Sequence, residues 1–117
     1  MAYVTSNICY SWKWEHNATS SDRGRILVCW HPKAYHFHVM HKSEQLIHGR
    51  ATQLSTNKKN FITFVYGFNH EAQRKPMWDT LVDISHNMDD PWCVMGDFNS
   101  VLHHGERRGG MKQMNEK

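Results

Sequence analysis

The sequence predicts a single α/β domain, and three observations favour this class. Short runs of aromatic and β-branched residues alternate with Gly-, Pro- and Asn-containing loops, which is typical of strands. One later segment, 70–87, has apolar residues every three or four positions, which indicates an amphipathic helix. The chain has 117 residues, which is enough for one small domain spanning 1–117 and too few for two.

The composition is that of a globular protein. Hydrophobic residues make up 39% of the chain and aromatic residues 12%, which excludes a disordered chain. The formal net charge of +3 permits a nucleic-acid partner without indicating one. No apolar run approaches the length of a membrane span, so we expect no membrane association, and no motif points to a small-molecule cofactor.

The cysteines predict a reducing compartment. Cys9, Cys29 and Cys93 are odd in number, far apart and flanked by apolar residues, and no Cys-x-x-Cys pair occurs. We therefore expect buried free thiols and an intracellular location, nuclear if the chain acts on genomic DNA.

Four strands are predicted in the first half of the chain. The first covers 8–14 and is followed by a polar loop at 16–24. The second covers 25–30, the third alternates over 35–41, and a less regular fourth lies within 44–54.

A strand–helix–strand unit follows at 61–95. After a turn at 57–60, segment 61–66 is the clearest strand because β-branched and aromatic residues dominate it. The helix should begin near Lys75, since Pro76 is tolerated only in a first turn, and a Met and Trp stripe on it should pack in the core. The apolar run 92–95 is the closing strand, ended by Gly96.

Polar side chains follow both strands of this unit. Tyr66 and Asn69 lie at the end of the first strand, and Asp97 and Asn99 follow the second. If the strands are parallel neighbours, their carboxyl ends share one edge, where ligands of open α/β sheets bind. We expect the four side chains to converge there, near a phosphate or a metal. The alternative is that Asp97 and Asn99 simply turn the chain.

These residues also carry a resemblance. The chain resembles the endonuclease/exonuclease/phosphatase (DNase I-like) superfamily, and most closely the endonuclease domain of plant LINE-type non-LTR retrotransposons. Segment 96–99 reads Gly-Asp-Phe-Asn, like that family's GDFN motif, and segment 65–69 is similar to its tyrosine-strand motif. Further matches are segments 24–30, 43–48 and 106–110, and Arg74 with Trp78. The resemblance covers about 12–110.

The resemblance implies a partial DNase I-like α/β sandwich with mixed β-sheets, truncated at both ends. It also implies Mg²⁺-dependent hydrolysis of DNA phosphodiesters. Asp97 would orient or deprotonate the attacking water, Asn99 would fix Asp97 and the phosphate, and Tyr66 and Asn69 would bind phosphate oxygens. The family's metal-binding Glu motif and its Ser-Asp-His motif have no counterpart in the sequence, so we expect weak metal binding and an inactive fragment.

Other interpretations remain open. Arg107 and Arg108 either contact a DNA backbone or form a solvated loop. His36 and His38 share a strand face but are too few for a zinc site. A non-catalytic nucleic-acid-binding fragment, a functionless transposon relic and a phosphatase for small phosphoesters are the alternative functions. An incomplete sandwich also predicts self-association through unpaired strand edges.

Overall fold

The computed structural model describes residues 11–18 and 24–99. The described residues form six strands and one α-helix, α1, at Lys75–His86, which a short 3-10 helix at Glu71–Arg74 precedes. The strands, in chain order, are β1 Lys13–His16, β2 Leu27–Trp30, β3 Tyr35–Lys42, β4 Leu46–Gln53, β5 Lys58–Tyr66 and β6 Trp92–Asp97. The predicted α/β class is therefore confirmed.

The strands form two sheets, of which the larger is mixed. β1 and β2 make an antiparallel hairpin, and the larger sheet has the order β3-β4-β5-β6. Its first two pairings are antiparallel, whereas β5 and β6 are parallel and are connected through α1. The strand–helix–strand unit predicted at 61–95 is thus present, with its two strands as direct neighbours.

Helix α1 covers one face of the larger sheet. It begins at Lys75 as predicted, with Pro76 in its first turn. Amides of the first turn have no carbonyl acceptor within the helix, so proline forfeits no hydrogen bond there. Met77 and Leu81 pack on Leu46 and Val65. Trp78 was expected in the core and is 39% exposed instead. No helix among the described residues is long and apolar enough to cross a membrane.

The β1–β2 hairpin packs on the opposite face of the larger sheet. Ile26 and Val28 form a core cluster with Phe37, Ile47 and Ala51. Successive residues of a strand point to opposite faces, so Ile47 meets the hairpin side while Leu46, one residue earlier, meets the helix. Both residues are fully buried, which shows that β4 lies between two packed layers.

Several element boundaries differ from the predictions, among them that of the second strand, which begins at Leu27 and not at residue 25. The first strand begins at Lys13, so the predicted 8–14 strand is shifted, and its residues 8–10 lie outside the described ranges. The turn expected at 57–60 lies at 54–57, because Asn57 takes the left-handed conformation and Lys58 already pairs with Gln53. Gly96 does not end the last strand, which continues to Asp97.

The cysteine prediction was wrong for Cys29 and Cys93, and Cys9 lies outside the described residues. Cys29 is disulfide-bonded, and Cys93 is free but exposed. Buried free thiols were inferred from their apolar neighbours in the sequence, but on an outer strand such as β6 alternate positions face outward. The disulfide removes the support that cysteine usage gave to a reducing compartment.

A buried histidine lies between β4 and the helix. His48 Nδ1 is hydrogen-bonded to Thr63 Oγ1 at 2.7 Å, and Trp92 Nε1 donates to the same hydroxyl at 2.9 Å. Burial lowers the pKa of His48 below its ordinary value of 6.5, and His41, its partner across β3 and β4, lowers that pKa further. Both effects favour the neutral imidazole in the folded chain.

This histidine should make the fold sensitive to mild acid. Because the folded pKa lies below the unfolded one, the unfolded chain binds more protons, and the free energy of unfolding falls as pH falls through about 6.5. His48→Gln should flatten this dependence between about pH 7.5 and pH 5.5, measured as urea unfolding midpoints. His36→Gln, at an exposed position of β3, is the matched control and should keep the slope. An unchanged slope in His48→Gln would contradict the assignment.

Self-association through β6 is a second expectation. No strand among the described residues pairs with the outer edge of β6, and Met95 on this strand is 42% exposed. The apparent mass should therefore rise with protein concentration in size-exclusion chromatography with light scattering, measured in a Cys93→Ala background that excludes cross-links through Cys93. Met95→Lys should reduce the effect, whereas Leu54→Lys, in the exposed 54–57 turn, should not. A concentration-independent monomer would refute the expectation.

Candidate functional site at the ends of two parallel strands

The ends of β5 and β6 meet at one edge of the larger sheet. Tyr66 is aligned with Asp97 in the parallel register, and the Gly67 amide donates to the Asp97 carbonyl at 2.8 Å. Neighbouring strands lie about 5 Å apart, and aligned residues share a face. The phenol and the carboxylate are both exposed, so the strand ends present them to solvent side by side.

Asn99 joins the two strand ends a second time. Its side-chain Nδ2 donates to the Gly67 carbonyl at 2.6 Å, and its backbone amide donates to Asp97 Oδ1 at 2.8 Å. The second bond fixes the orientation of the carboxylate. Asn99 has a φ of 52°, in the left-handed region that asparagine tolerates better than most residues.

Two glycines make this close approach possible. A Cβ on Gly67 would lie 2.5 Å from the Phe98 carbonyl oxygen. A Cβ on Gly96 would lie 2.0 Å from the Val65 carbonyl oxygen, and Gly96 has a φ of 135°. Gly67 follows Tyr66, and Gly96 precedes Asp97. Both motifs contain glycine at these positions because the neighbouring backbone leaves no room for a side chain.

Replacing Gly96 should therefore disrupt the strand ends. Gly96→Ala is expected to lower the free energy of unfolding by about 1–3 kcal/mol from the backbone conformation alone, and the clash with Val65 adds to this. Chemical denaturation measures the loss. Cys93→Ala, at an exposed position of the same strand, is the control and should change stability little. Equal stability of the two variants would show that the strand can shift at no cost.

The loop after β5, residues 67–70, is held in place by the buried side chain of Gln45. Gln45 Oε1 accepts from the Phe68 amide at 2.8 Å, and its Nε2 donates to the Gln73 carbonyl at 3.0 Å. The Gln45 carbonyl also accepts from the Tyr66 amide at 2.8 Å. One residue thus fixes the last residue of β5, the loop that follows it and the start of the helical segment.

A buried arginine supports the same loop. The Arg74 guanidinium donates through one nitrogen to the carbonyls of Phe68 and Asn69, at 3.1 and 2.9 Å. Arg74 is 6% exposed, and no carboxylate among the described residues forms an ion pair with it. Its positive charge therefore lies directly beneath the loop that carries Asn69.

A cavity of about 310 Å³ opens beside this loop. Tyr66 and Asn69 contribute to its wall, together with His70 and Gln73 from the start of the helical segment. Arg25, which immediately precedes the core residue Ile26, also lines the cavity. The cavity is lined by Arg25, Tyr66, Gly67, Phe68, Asn69, His70 and Gln73.

The structure brings most of the sequence-predicted residues together. Asp97 and Asn99 are bonded to each other and to the end of β5, where Tyr66 lies, and Asn69 lines the adjoining cavity. Arg107 and Arg108 lie outside the described residues.

Sequence reasoning gave Gln45 and Arg74 no role of their own. For Arg74 a signal existed, because it precedes Met77 and Leu81 at helical spacing and so falls on the buried side. Gln45 lies between a turn and an apolar strand, where nothing in the sequence separates a buried amide from a solvated one.

The described residues do not by themselves fit a resident magnesium ion. Asp97 is the only carboxylate of this group that the described chain supplies, and no group of three or more His, Cys, Asp or Glu side chains in 11–18 and 24–99 is arranged to hold a metal. Dedicated cation sites need more oxygen ligands than one carboxylate provides.

The parallel strand ends thus carry a carboxylate, amides and a phenol at the edge where ligands of open α/β sheets bind. Residues 2–116 match the model of the Endonuclease/Exonuclease/phosphatase family. The chain therefore belongs to this family, and its mixed sheets are consistent with a partial DNase I-like sandwich. No curated protein and no solved structure matches the chain significantly.

Proposed function

We propose that the chain is the phosphodiester-binding part of a DNA endonuclease of the LINE-type non-LTR retrotransposon class. Family membership supports a nuclease or phosphatase type of phosphodiesterase. The observation that carries the proposal is the double connection of the strand ends, in which Gly67 bonds to both Asp97 and Asn99. This connection holds the Asp97 carboxylate and the Asn99 amide beside the end of β5.

Each side chain has a chemical role in this proposal. Tyr66 and Asn69 donate hydrogen bonds to the phosphate oxygens, where negative charge increases during hydrolysis. Asp97 orients the attacking water and accepts its proton, and the Asn99 amide keeps the carboxylate in position. Arg107 and Arg108 contact the DNA backbone further along.

We propose that metal binding by this chain is weak. Magnesium sites commonly combine one or two carboxylates with phosphate oxygens of the substrate. Asp97 alone meets only the lower limit, so Mg²⁺ would be retained together with DNA and not before it. The sequence has no counterpart of the family's Glu motif, which limits metal retention, or of its Ser-Asp-His motif, which limits the chemistry.

The retrotransposon assignment rests on the order of several motifs. The GDFN segment at 96–99, the tyrosine segment at 65–69 and the segment at 106–110 follow one another as in the plant family. Among them, 65–69 and 96–99 are the segments that contact each other at the strand ends. An action on genomic DNA implies a nuclear location, for which the disulfide of Cys29 offers no support.

A non-catalytic nucleic-acid-binding fragment is the second candidate. The exposed aromatic side chains Trp12 and Trp14 and the cavity beside Asn69 favour it, because both offer contacts to nucleic acid without a cleavage step. A functionless relic predicts neither binding nor cleavage, and a phosphatase predicts turnover of small phosphoesters.

The proposal predicts DNA binding without efficient cleavage. Losing one transition-state hydrogen-bond donor costs about 10²–10³ in rate, and losing general acid–base help costs about 10²–10⁴. Plasmid nicking in Mg²⁺ should therefore be far slower than is usual for a complete enzyme. In fluorescence anisotropy with duplex DNA, Asn69→Ala should weaken binding about tenfold because a charged hydrogen bond is lost.

Paired controls make the nicking assay decisive. Asp97→Ala removes the proposed general base, and Asp90→Ala removes an exposed carboxylate outside the strand ends. Residual nicking that is equal in both variants is contaminating nuclease and agrees with the prediction. Fast nicking that disappears only in Asp97→Ala would contradict it, and would mean that another group, such as His103 or His104, completes the site. Absence of DNA binding would refute the proposed function itself.

A further inference from the structure

We propose that the cavity beside Tyr66 and Asn69 is a second phosphate site, in which Arg25 and His70 bind the phosphate next to the one that Tyr66 and Asn69 hold beside Asp97. This inference rests on the proposed function, since it assigns a neighbouring position on the same DNA strand. Tyr66 connects the two positions, because it is aligned with Asp97 in the sheet and also lines the cavity.

The charge of the cavity favours an anion. Its ionisable lining groups within 11–18 and 24–99 are the Arg25 guanidinium, the His70 imidazole and the Tyr66 phenol, and no Asp or Glu of these ranges lines it. The Gln73 amide adds a neutral donor. Asp97 lies at the adjoining strand end and Glu71 follows His70 in the chain, but neither contributes to the wall. A phosphate diester is the anion that DNA offers to such a set of donors.

A buried charge behind the wall strengthens this preference. The Arg74 guanidinium donates to the carbonyls of Phe68 and Asn69, which belong to two of the lining residues. It is 6% exposed and has no ion-pair partner among the described residues, so its field is little screened by water. Its field at the wall therefore attracts negative charge.

The wall is fixed in advance of binding. Gln45 holds the Phe68 amide and the Gln73 carbonyl, and Arg74 holds the two carbonyls between them. A ligand that binds here does not have to order the loop first, which preserves affinity. The volume of about 310 Å³ is near the lower end of the usual range for ligand pockets, about 300–1,000 Å³, which fits one phosphate with part of its nucleotide.

The salt dependence of DNA binding tests the charged contact. With a fluorescently labelled duplex, Arg25→Gln should weaken binding about tenfold and reduce the slope of log K against log salt by about 1, because one phosphate contact is lost. Arg50→Gln is the matched control, since it removes the same charge at an exposed position. Arg50 is also distant from the cavity. Its cross-strand partner is Phe61, which lies five residues before Tyr66, and that is about 17 Å along β5.

Short ligands test the position of the site. A thymidine dinucleotide has one internal phosphodiester, and a terminal phosphate at either end adds a neighbouring one. The unmodified chain should bind one of the two phosphorylated forms about tenfold more tightly than the plain dinucleotide. Arg25→Gln and His70→Gln should each lose this gain while still binding the plain form, whereas Arg50→Gln should keep it. Both variants change exposed side chains, and thermal unfolding establishes that each remains folded.

The outcomes separate this inference from the proposed function. If Asn69→Ala weakens DNA binding while Arg25→Gln and His70→Gln behave like Arg50→Gln, the second phosphate site is refuted and the proposed function stands. If the unmodified chain binds neither duplex nor dinucleotide, the proposed function fails and the second site fails with it. A gain from the terminal phosphate that only the two cavity variants abolish supports the site.

Discussion

The hydrogen bonds of one buried amide, that of Gln45, hold the segments on which the candidate site depends. At the end of β5 the backbone ladder stops, and the next amide and carbonyl groups would be left without partners in a partly buried place. Gln45 satisfies the Phe68 amide and the Gln73 carbonyl in one side chain. An unpaired buried group would cost about 1–3 kcal/mol, so this amide decides where the loop can lie.

A second buried amide does the same for the hairpin. Asn17 is fully buried, and its Nδ2 donates to the carbonyls of Ser43 and Glu44, both at 3.0 Å, while its Oδ1 accepts from the Ile26 amide at 2.8 Å. Residues 43–44 lead directly into Gln45. The two amides therefore connect the hairpin, the β3–β4 turn and the end of β5 in sequence, and they place Arg25, next to Ile26, beside the cavity.

The sequence predicted the structure correctly where a residue pattern has a single physical cause. The β5–α1–β6 unit was predictable because apolar periodicity reports burial directly, and parallel strands joined by a helix must end at the same edge. The site residues followed from that edge. Gln45 was not predictable as a support, because its role depends on segments far away in the chain. The turn at 57–60 was misplaced because cross-strand pairing of Lys58 outweighs the local preference of polar residues for turns.

The cysteine error has a related cause. The apolar neighbours of Cys93 indicate a strand, but they do not tell whether a further strand covers it, and on the outer strand β6 the thiol is exposed. The same ambiguity applies to Met95. Apolar patterns thus predict elements more reliably than they predict which faces of those elements are covered in this chain.

Binding and catalysis make different demands on this architecture. Holding a phosphodiester needs donors in fixed positions, and the Gly67, Asp97 and Asn99 bonds supply that positioning within two short segments. Accelerating its hydrolysis needs further charge stabilisation and a second proton-transferring group, which the strand-end side chains do not provide. The hydrogen bonds that position the strand-end side chains are also those that close the edge of the sheet, so the fold maintains their geometry whether or not the chain cleaves DNA.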